Sequence, residues 1–283
     1  LPQSCPYLDA SHLEDLLHWL LKGNFATRFT DAREKYKINI LALSSALLAY
    51  YNSGEGISDV ENELSKLRTK AYDIGSDREL LFADVICAIT SFRIRNSSWT
   101  LLPIYSGLAK DDWTEYLKKN GSIKELWPSQ KLLGEQGILK DTSAIIQMPT
   151  SAGKTKSIEL IIRSSFLSAR ASLAVVVAPF KALCQEIRSE LVRNFEGELI
   201  SIDGVSDVPQ MDFTDFDLDG FLDLDFTSIE TDSILVLTPE KLMYILRQSP
   251  ELAERIGLVI YDEGHQFDSG PRGVTYELLL SSL

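Results

Sequence analysis

The chain has 283 residues, 45% hydrophobic and 24% charged, which suits about two ordinary globular domains. Its net charge of −13 excludes a protein that coats nucleic acid by bulk electrostatics, because neutralising phosphates needs clustered Lys and Arg. Three widely spaced cysteines, Cys5, Cys87 and Cys184, give neither a disulfide framework nor a metal-ligand cluster; runs such as Leu173–Phe180 fall well short of the roughly 20 apolar residues of a membrane helix, and the N-terminus lacks signal-peptide order, so the reading is a soluble cytoplasmic (intracellular) protein without membrane contact.

In chain order, the first part reads as helices. A Ser followed three residues later by Glu marks helix starts at Ser11/Glu14, Ser58/Glu61 and Ser76/Glu79. Apolar stripes follow at helical spacing: Leu13, Leu16, Leu17, Leu20 and Leu21, then the largely apolar Ile38–Tyr51, then Leu80, Leu81, Ala83, Val85, Ile86 and Ile89. Residues 1–124 are predicted to form an all-helical accessory domain, incomplete at its N-terminus. It carries no chemical motif, and His12 and His18 read as packing or surface residues.

Near Lys118–Trp127 short apolar runs begin to alternate with helical ones, the pattern of parallel strands with crossover helices. Four runs are predicted as buried strands: Ala144–Gln147, Leu173–Ala178, Ser233–Leu237 and Leu258–Tyr261. Each precedes a motif of the kind found at the carboxyl ends of strands, where open parallel sheets bind ligands. Residues 125–283 are therefore predicted to be an α/β domain. The chain starts at Leu1 and ends in TYELLLSSL without a turn signal, and reads as a piece of something longer.

The chemistry sits in two of these motifs. Binding nucleotide phosphates needs inward-facing backbone N–H groups, a Gly where a side chain would block approach, a Lys for the β/γ charge, and a hydroxyl for magnesium. Met148–Thr155, MPTSAGKT, supplies them: Pro149, Thr150, Ser151, Ala152 and Gly153 as the loop, Lys154 as the point charge, and Thr155 as the Mg2+ ligand. The second motif is an acidic pair after an apolar strand, one carboxylate for the metal and one for the attacking water. LVIYDEGH places Asp262 toward Mg2+ and Glu263 as general base, with His265 linking the site to its neighbours. ATP with Mg2+ is the expected cofactor.

Together PTSAGKT and DEGH resemble superfamily-2 DExH-box helicases, in particular the Ski-like branch that includes RNA-exosome, spliceosomal and archaeal repair helicases. WPSQ (Trp127–Gln130), APFKALCQE (Ala178–Glu186), TPEKL (Thr238–Leu242) and RGVTYE (Arg272–Glu277) resemble further family segments in the same order. Met148 stands where the loop usually has its first Gly, and Phe180 where Thr is usual. The resemblance implies a RecA-like parallel sheet flanked by helices over 125–283, the first lobe of a helicase or translocase motor, with catalytic roles for Lys154, Asp262, Glu263 and His265. It implies that Gln130 reads the adenine edge, that Pro179, Lys181, Thr238 and Pro239 meet the sugar-phosphate backbone of single-stranded DNA or RNA, and that a second RecA-like lobe completes hydrolysis. TPEKL is also a well-capped helix start on its own.

The Asp- and Phe-rich segment 211–232 reads as a solvated loop with anchoring aromatics, or as a surface that imitates a phosphate backbone and docks on a basic partner. The helical domain is the other expected site for a protein partner. Two readings stand beside the motor: a nucleotide-dependent sensor or regulatory module without productive unwinding, and an unrelated phosphate-loop enzyme. DNA against RNA, and RNA turnover, repair or antiviral defence, are left open by the sequence.

Overall fold

A computed structural model of the chain describes residues 12–23, 25, 29, 35–119, 121–149, 153–203, 231–268 and 270–282. They fall into two compact units divided between Lys131 and Leu132.

The first unit is helical: α1 Leu13–Lys22, α2 Lys37–Ser53, α3 Ile57–Ile74, α4 Asp77–Arg95, α5 Ser98–Ser106 and α6 Thr114–Lys118, with α7 Pro128–Glu135 crossing the division. Its buried side chains include the expected Leu stripe, Leu13, Leu16 and Leu20, and Ile40, Leu43, Leu47, Leu64, Ala83 and Ile86. Of the predicted helix starts, Ser76/Glu79 forms a reciprocal capping box. Ser58 does not cap: Gly56, at φ 82°, turns the chain into α3 one residue before Ile57, leaving Ser58 inside the first turn. Ser11 lies outside the described residues, and His12 occupies the cap position of α1. Of the two histidines, His18 is exposed and His12 pairs with Asp15 at 3.2 Å.

The second unit is a parallel sheet between two layers of helices. Its elements are α8 Lys154–Leu167, β1 Leu173–Val177, α9 Lys181–Asn194, β2 Ile200–Asp203, β3 Asp232–Leu237, α10 Pro239–Gln248, α11 Glu251–Arg255, β4 Ile256–Tyr261 and α12 Gly270–Leu280, in strand order β2-β3-β1-β4. Successive side chains of β1 point to opposite faces. Ala174 and Val176 pack with Ile158, Ile162 and Phe166 of α8 and Ile187 and Leu191 of α9. Leu173, Val175 and Val177 pack with Leu242 and Leu246 of α10 and Tyr276 and Leu279 of α12. Burial on both faces explains why β1 reads as an unbroken apolar run.

Two sequence expectations are corrected. Ala144–Gln147 is not a strand: residues 142–149 carry no regular structure, and Ile145 is fully exposed. An apolar run becomes a strand only beside a neighbour that takes its hydrogen bonds, and no described strand pairs with it. Ile200–Asp203 is a strand that the sequence reading did not include; it pairs with β3 at the sheet edge, where half-burial gives it a mixed composition. β4, expected to be buried, is half-buried because it is the opposite edge.

Candidate functional site

Parallel register sets the site. Val177 is aligned with Leu237 on one side and with Tyr261 on the other, so the segments leaving β3, β1 and β4 emerge side by side at one edge of the sheet. The backbone continues the pairing by one residue: Ala178 N–H donates to Leu237 O at 3.0 Å and Asp262 N–H to Val177 O at 2.8 Å. TPEK, APFK and DEGH are thereby neighbours, as the position of each after a strand predicts.

Gly153 caps α8 at φ 80°, a conformation that an L side chain strains, and it sends Lys154 into the first turn. Lys154 Nζ lies 2.5 Å from Asp262 Oδ1 and 2.9 Å from Glu263 Oε1. Two motifs more than a hundred residues apart thus meet at one ammonium group. Burial works against the Lys154 charge, but the hydrogen bonds that it donates to Asp262 and Glu263 outweigh it and hold its pKa above the ordinary lysine value. The same hydrogen bond from Lys154 holds the Glu263 carboxyl below the usual carboxylate range, against burial and with help from His265.

Glu263 adopts φ 54°, a left-handed conformation that costs a non-glycine residue about 1–2 kcal/mol. It is retained because both oxygens of its carboxylate are held: Oε1 by Lys154, Oε2 by His265 Nδ1 at 3.2 Å. The Gln266 amide nitrogen is 2.9 Å from His265 Nε2. Since that amide only donates, His265 Nε2 accepts and Nδ1–H points at the Glu263 carboxylate.

The loop carrying these groups rests on an aromatic cluster that the sequence reading missed. The Tyr261 ring lies 5.6 Å from Phe267 and 5.8 Å from Tyr276, and the last two are 4.7 Å apart. Gly273 closes against the same loop, where an added Cβ would sit 2.2 Å from Phe267 O. The family-like segment RGVTYE therefore clamps the DEGH turn through its Gly and Tyr. Also unread was the ion network of α8. Arg163, 4% exposed, bonds Glu159 at 2.9 Å, Glu198 at 2.8 Å and Asn194 O at 2.7 Å. Its sequence signal was an i,i+4 Glu–Arg pair set among Ile158, Leu160, Ile161 and Ile162.

The remaining predicted residues are placed as follows. Thr155 is half-buried in the first turn of α8, and Pro149 is exposed before the loop; Thr150, Ser151 and Ala152 lie outside the described residues. Gln130 is buried and its Oε1 accepts from Trp127 N–H at 2.9 Å, so it caps α7. Lys181 is exposed in the first turn of α9. Thr238 stands at the N-cap of α10, but its hydroxyl makes no capping hydrogen bond. Pro179 and Pro239 are buried and act by shaping these two helix starts. The acidic segment lies outside the described residues up to position 230.

As a set, these groups suit a nucleotide with a divalent cation. A loop ending in Gly153-Lys154-Thr155 at a helix amino end suits phosphates. The Thr155 hydroxyl and the Asp262 carboxylate are hard oxygen donors of the kind Mg2+ takes, and Asp262 Oδ1 is buried with Lys154 as its ion-pair partner among the described residues.

Comparison with known proteins agrees with this geometry. The chain is 33% identical over 170 residues to the Hachiman protein HamB of Bacillus cereus, an alignment covering 59% of this chain and 14% of that protein. It is 28% identical over 173 residues to the ATP-dependent DNA helicase Hel308 of Thermococcus kodakarensis (61% of this chain, 14% of the relative). With Hel308 of Pyrococcus horikoshii it shares 30% identity over 169 residues (60% and 21%). The matched region is thus between about a seventh and a fifth of the length of these relatives. The DEAD/DEAH box helicase family matches residues 128–283, more than half of the chain, and the chain belongs to that family.

Proposed function

We propose that this chain supplies the first motor lobe of an ATP-driven nucleic-acid helicase or translocase, with residues 125–283 as a RecA-like ATP-binding domain and residues 1–124 as a helical accessory domain. The observation that carries the reading is the convergence of Lys154, Asp262 and Glu263 at one point. In this reading Lys154 would leave the two carboxylates for the β/γ phosphates of bound ATP. Thr155 and Asp262 would hold Mg2+, which would supply charge neutralisation at the phosphates. Glu263, freed from the lysine, would orient and deprotonate the attacking water, with His265 tying its position to the rest of the motor. A second RecA-like lobe of the full protein adds the groups that complete the transition state.

Thr238 and Lys181 then face the backbone of a single strand from adjacent helix starts, giving sequence-independent contact. The Hel308 relatives, named as ATP-dependent DNA helicases, favour DNA over RNA, while the similarity to a Hachiman protein favours antiviral defence among the three pathways. A cytoplasmic location follows from that role, and the segment 211–232 serves as a second contact for a basic partner. Gln130 reads adenine only by giving up its cap on α7.

The test is ATP turnover by the full-length protein with and without single-stranded DNA. Lys154→Ala should abolish turnover and weaken ATP binding, whereas Glu263→Gln should lower kcat by about 100-fold or more while ATP binding persists. Turnover unaffected by both substitutions refutes the motor. ATP binding with DNA-dependent affinity but no turnover in the unmodified protein assigns the chain to a sensor instead.

A further inference from the structure

Helix α12 touches two separate parts of the site at once. On one side it meets the short turn Gly264–Asp268 that follows Glu263: Gly273 closes on Phe267 O, and the Tyr276 ring lies 4.7 Å from Phe267 and 5.8 Å from Tyr261. On the other side it packs against α10, the helix that Thr238 and Pro239 open. Tyr276, fully buried, and Leu279 share one core with Leu242, Met243 and Leu246 of α10. Among the described elements, α12 is the one that packs extensively on both the turn and α10.

The sheet offers no route as direct. β1 lies between β3, which leads into α10, and β4, which leads into Glu263. A displacement passing through the sheet has to move β1, which is buried along its whole length and paired on both edges. A helix packed on one face can slide slightly against its neighbours while the sheet stays in place.

Glu263 needs such a support. Its left-handed backbone, φ 54°, goes with a carboxylate held by Lys154 and His265. In the motor reading, on which this inference rests, Lys154 would leave for the phosphates, and Glu263 Oε1 would lose its partner when it has to face water. His265 is exposed, so its bond competes with solvent. What then fixes the turn is the packing of Phe267 on Tyr276 and Gly273.

We propose that Tyr276, acting through Phe267, is a positioning residue that couples single-stranded nucleic acid at the start of α10 to the placement of Glu263. Nucleic acid seated on Thr238 steadies α10, α10 steadies α12, and the aromatic contact steadies the turn that carries Glu263. That turn is the element with two arrangements, one tied to Lys154 and one resting on α12. By linkage, nucleotide and nucleic acid strengthen each other's binding by the same factor.

The test uses the full-length protein, a non-hydrolysable ATP analogue with Mg2+, and a fluorescent oligothymidylate. In the unmodified protein the analogue should tighten oligothymidylate binding by about fivefold or more. The oligothymidylate should also slow amide exchange in residues 264–268. Phe267→Ala removes a half-buried ring; it should reduce the linkage below about twofold while each ligand alone still binds, and should lower DNA-stimulated kcat with KM for ATP unchanged. Tyr276→Ala should do the same and Tyr276→Phe, which keeps the ring, should retain the linkage; Phe267→Ala decides if Tyr276→Ala does not fold. Linkage that survives Phe267→Ala, or is lost equally in Tyr276→Phe, would overturn the proposal. DNA-stimulated turnover without linkage in the unmodified protein would overturn the coupling and leave the motor standing, whereas failure to bind either ligand would remove the motor reading and the coupling with it.

Discussion

Removing the buried arginine of α8 should loosen the nucleotide-binding half of the chain. Arg163 makes charged bonds to Glu159 and Glu198, donates to Asn194 O, and stacks its guanidinium 4.0 Å over the Phe195 ring. In this way it fastens the helix that follows the phosphate loop to the end of α9. In Arg163→Met the Met roughly keeps the apolar bulk but leaves Glu159, 1% exposed, without its buried cation. Losing one partner of a buried pair costs about 3–5 kcal/mol. The lower end applies here, because Lys156 still sits 2.9 Å from Glu159 Oε2 and Glu198 is partly solvated. All four tryptophans, Trp19, Trp99, Trp113 and Trp127, precede residue 132, so tryptophan fluorescence would report on the wrong unit. Amide hydrogen exchange of β1 and α8 gives the local signal. A loss of about 3 kcal/mol raises exchange there by about two orders of magnitude. Adding Glu159→Gln removes the orphaned charge and should recover at least about half of the loss. Exchange raised by less than about threefold, or no recovery in the double variant, would show that the network contributes little.

Other consequences are equally direct. In the nucleotide-free protein Lys154→Met should move the Glu263 carboxyl up toward its ordinary value, followed by carbon-13 titration of the side-chain carboxyl; an unmoved midpoint refutes the pairing. The signs fix the pH window. The lowered Glu263 contributes stability above the unfolded-state carboxylate value, lost as pH falls through its folded value, and the raised Lys154 contributes below the ordinary lysine value, lost as pH rises through its folded value, so local opening should be flat from about pH 5 to about pH 10. Gly273→Ala must push the added Cβ away from Phe267 O, and it should raise exchange in residues 264–268, cost about 1–3 kcal/mol and lower kcat more than ATP affinity. Ile145→Lys should reduce self-association of the polypeptide 1–283 in sedimentation, because an exposed Ile145-Ile146 run and the open edge of β4 invite intermolecular pairing; unchanged association would leave that edge harmless.

What the sequence made legible divides along a physical line. The DEGH pair, the TPEK and APFK helix starts and the Ser76/Glu79 cap could be read because each is a local device with its own residue types, and parallel register then makes neighbours of the first three at the ends of β4, β3 and β1. The aromatic clamp of Tyr261, Phe267 and Tyr276 was not legible, since three aromatics spread over sixteen positions meet only after the short 3-10 turn Gly264–Asp268 and the helix α12 fold back on the strand end. Likewise Gln130 reads equally well as an adenine contact or a helix cap, and only the fold shows its oxygen engaged by Trp127 N–H.

The strand errors follow the same logic in reverse. Residues 144–147 have the composition of a buried strand, yet burial is a property of neighbours, and those described leave Ile145 bare. Ile200–Asp203 has a weaker composition, yet it pairs because β3 offers it hydrogen bonds. A run of apolar residues therefore states a requirement for partners and not their identity. Met along the chain are two such unmet requirements, the Ala144–Gln147 run with the open edge of β4 beside DEGH, and the exposed Leu81 and Phe92 of α4. The edge strand β4 leads directly into the turn that carries Glu263, so a neighbour on that edge would bear on how Glu263 is held.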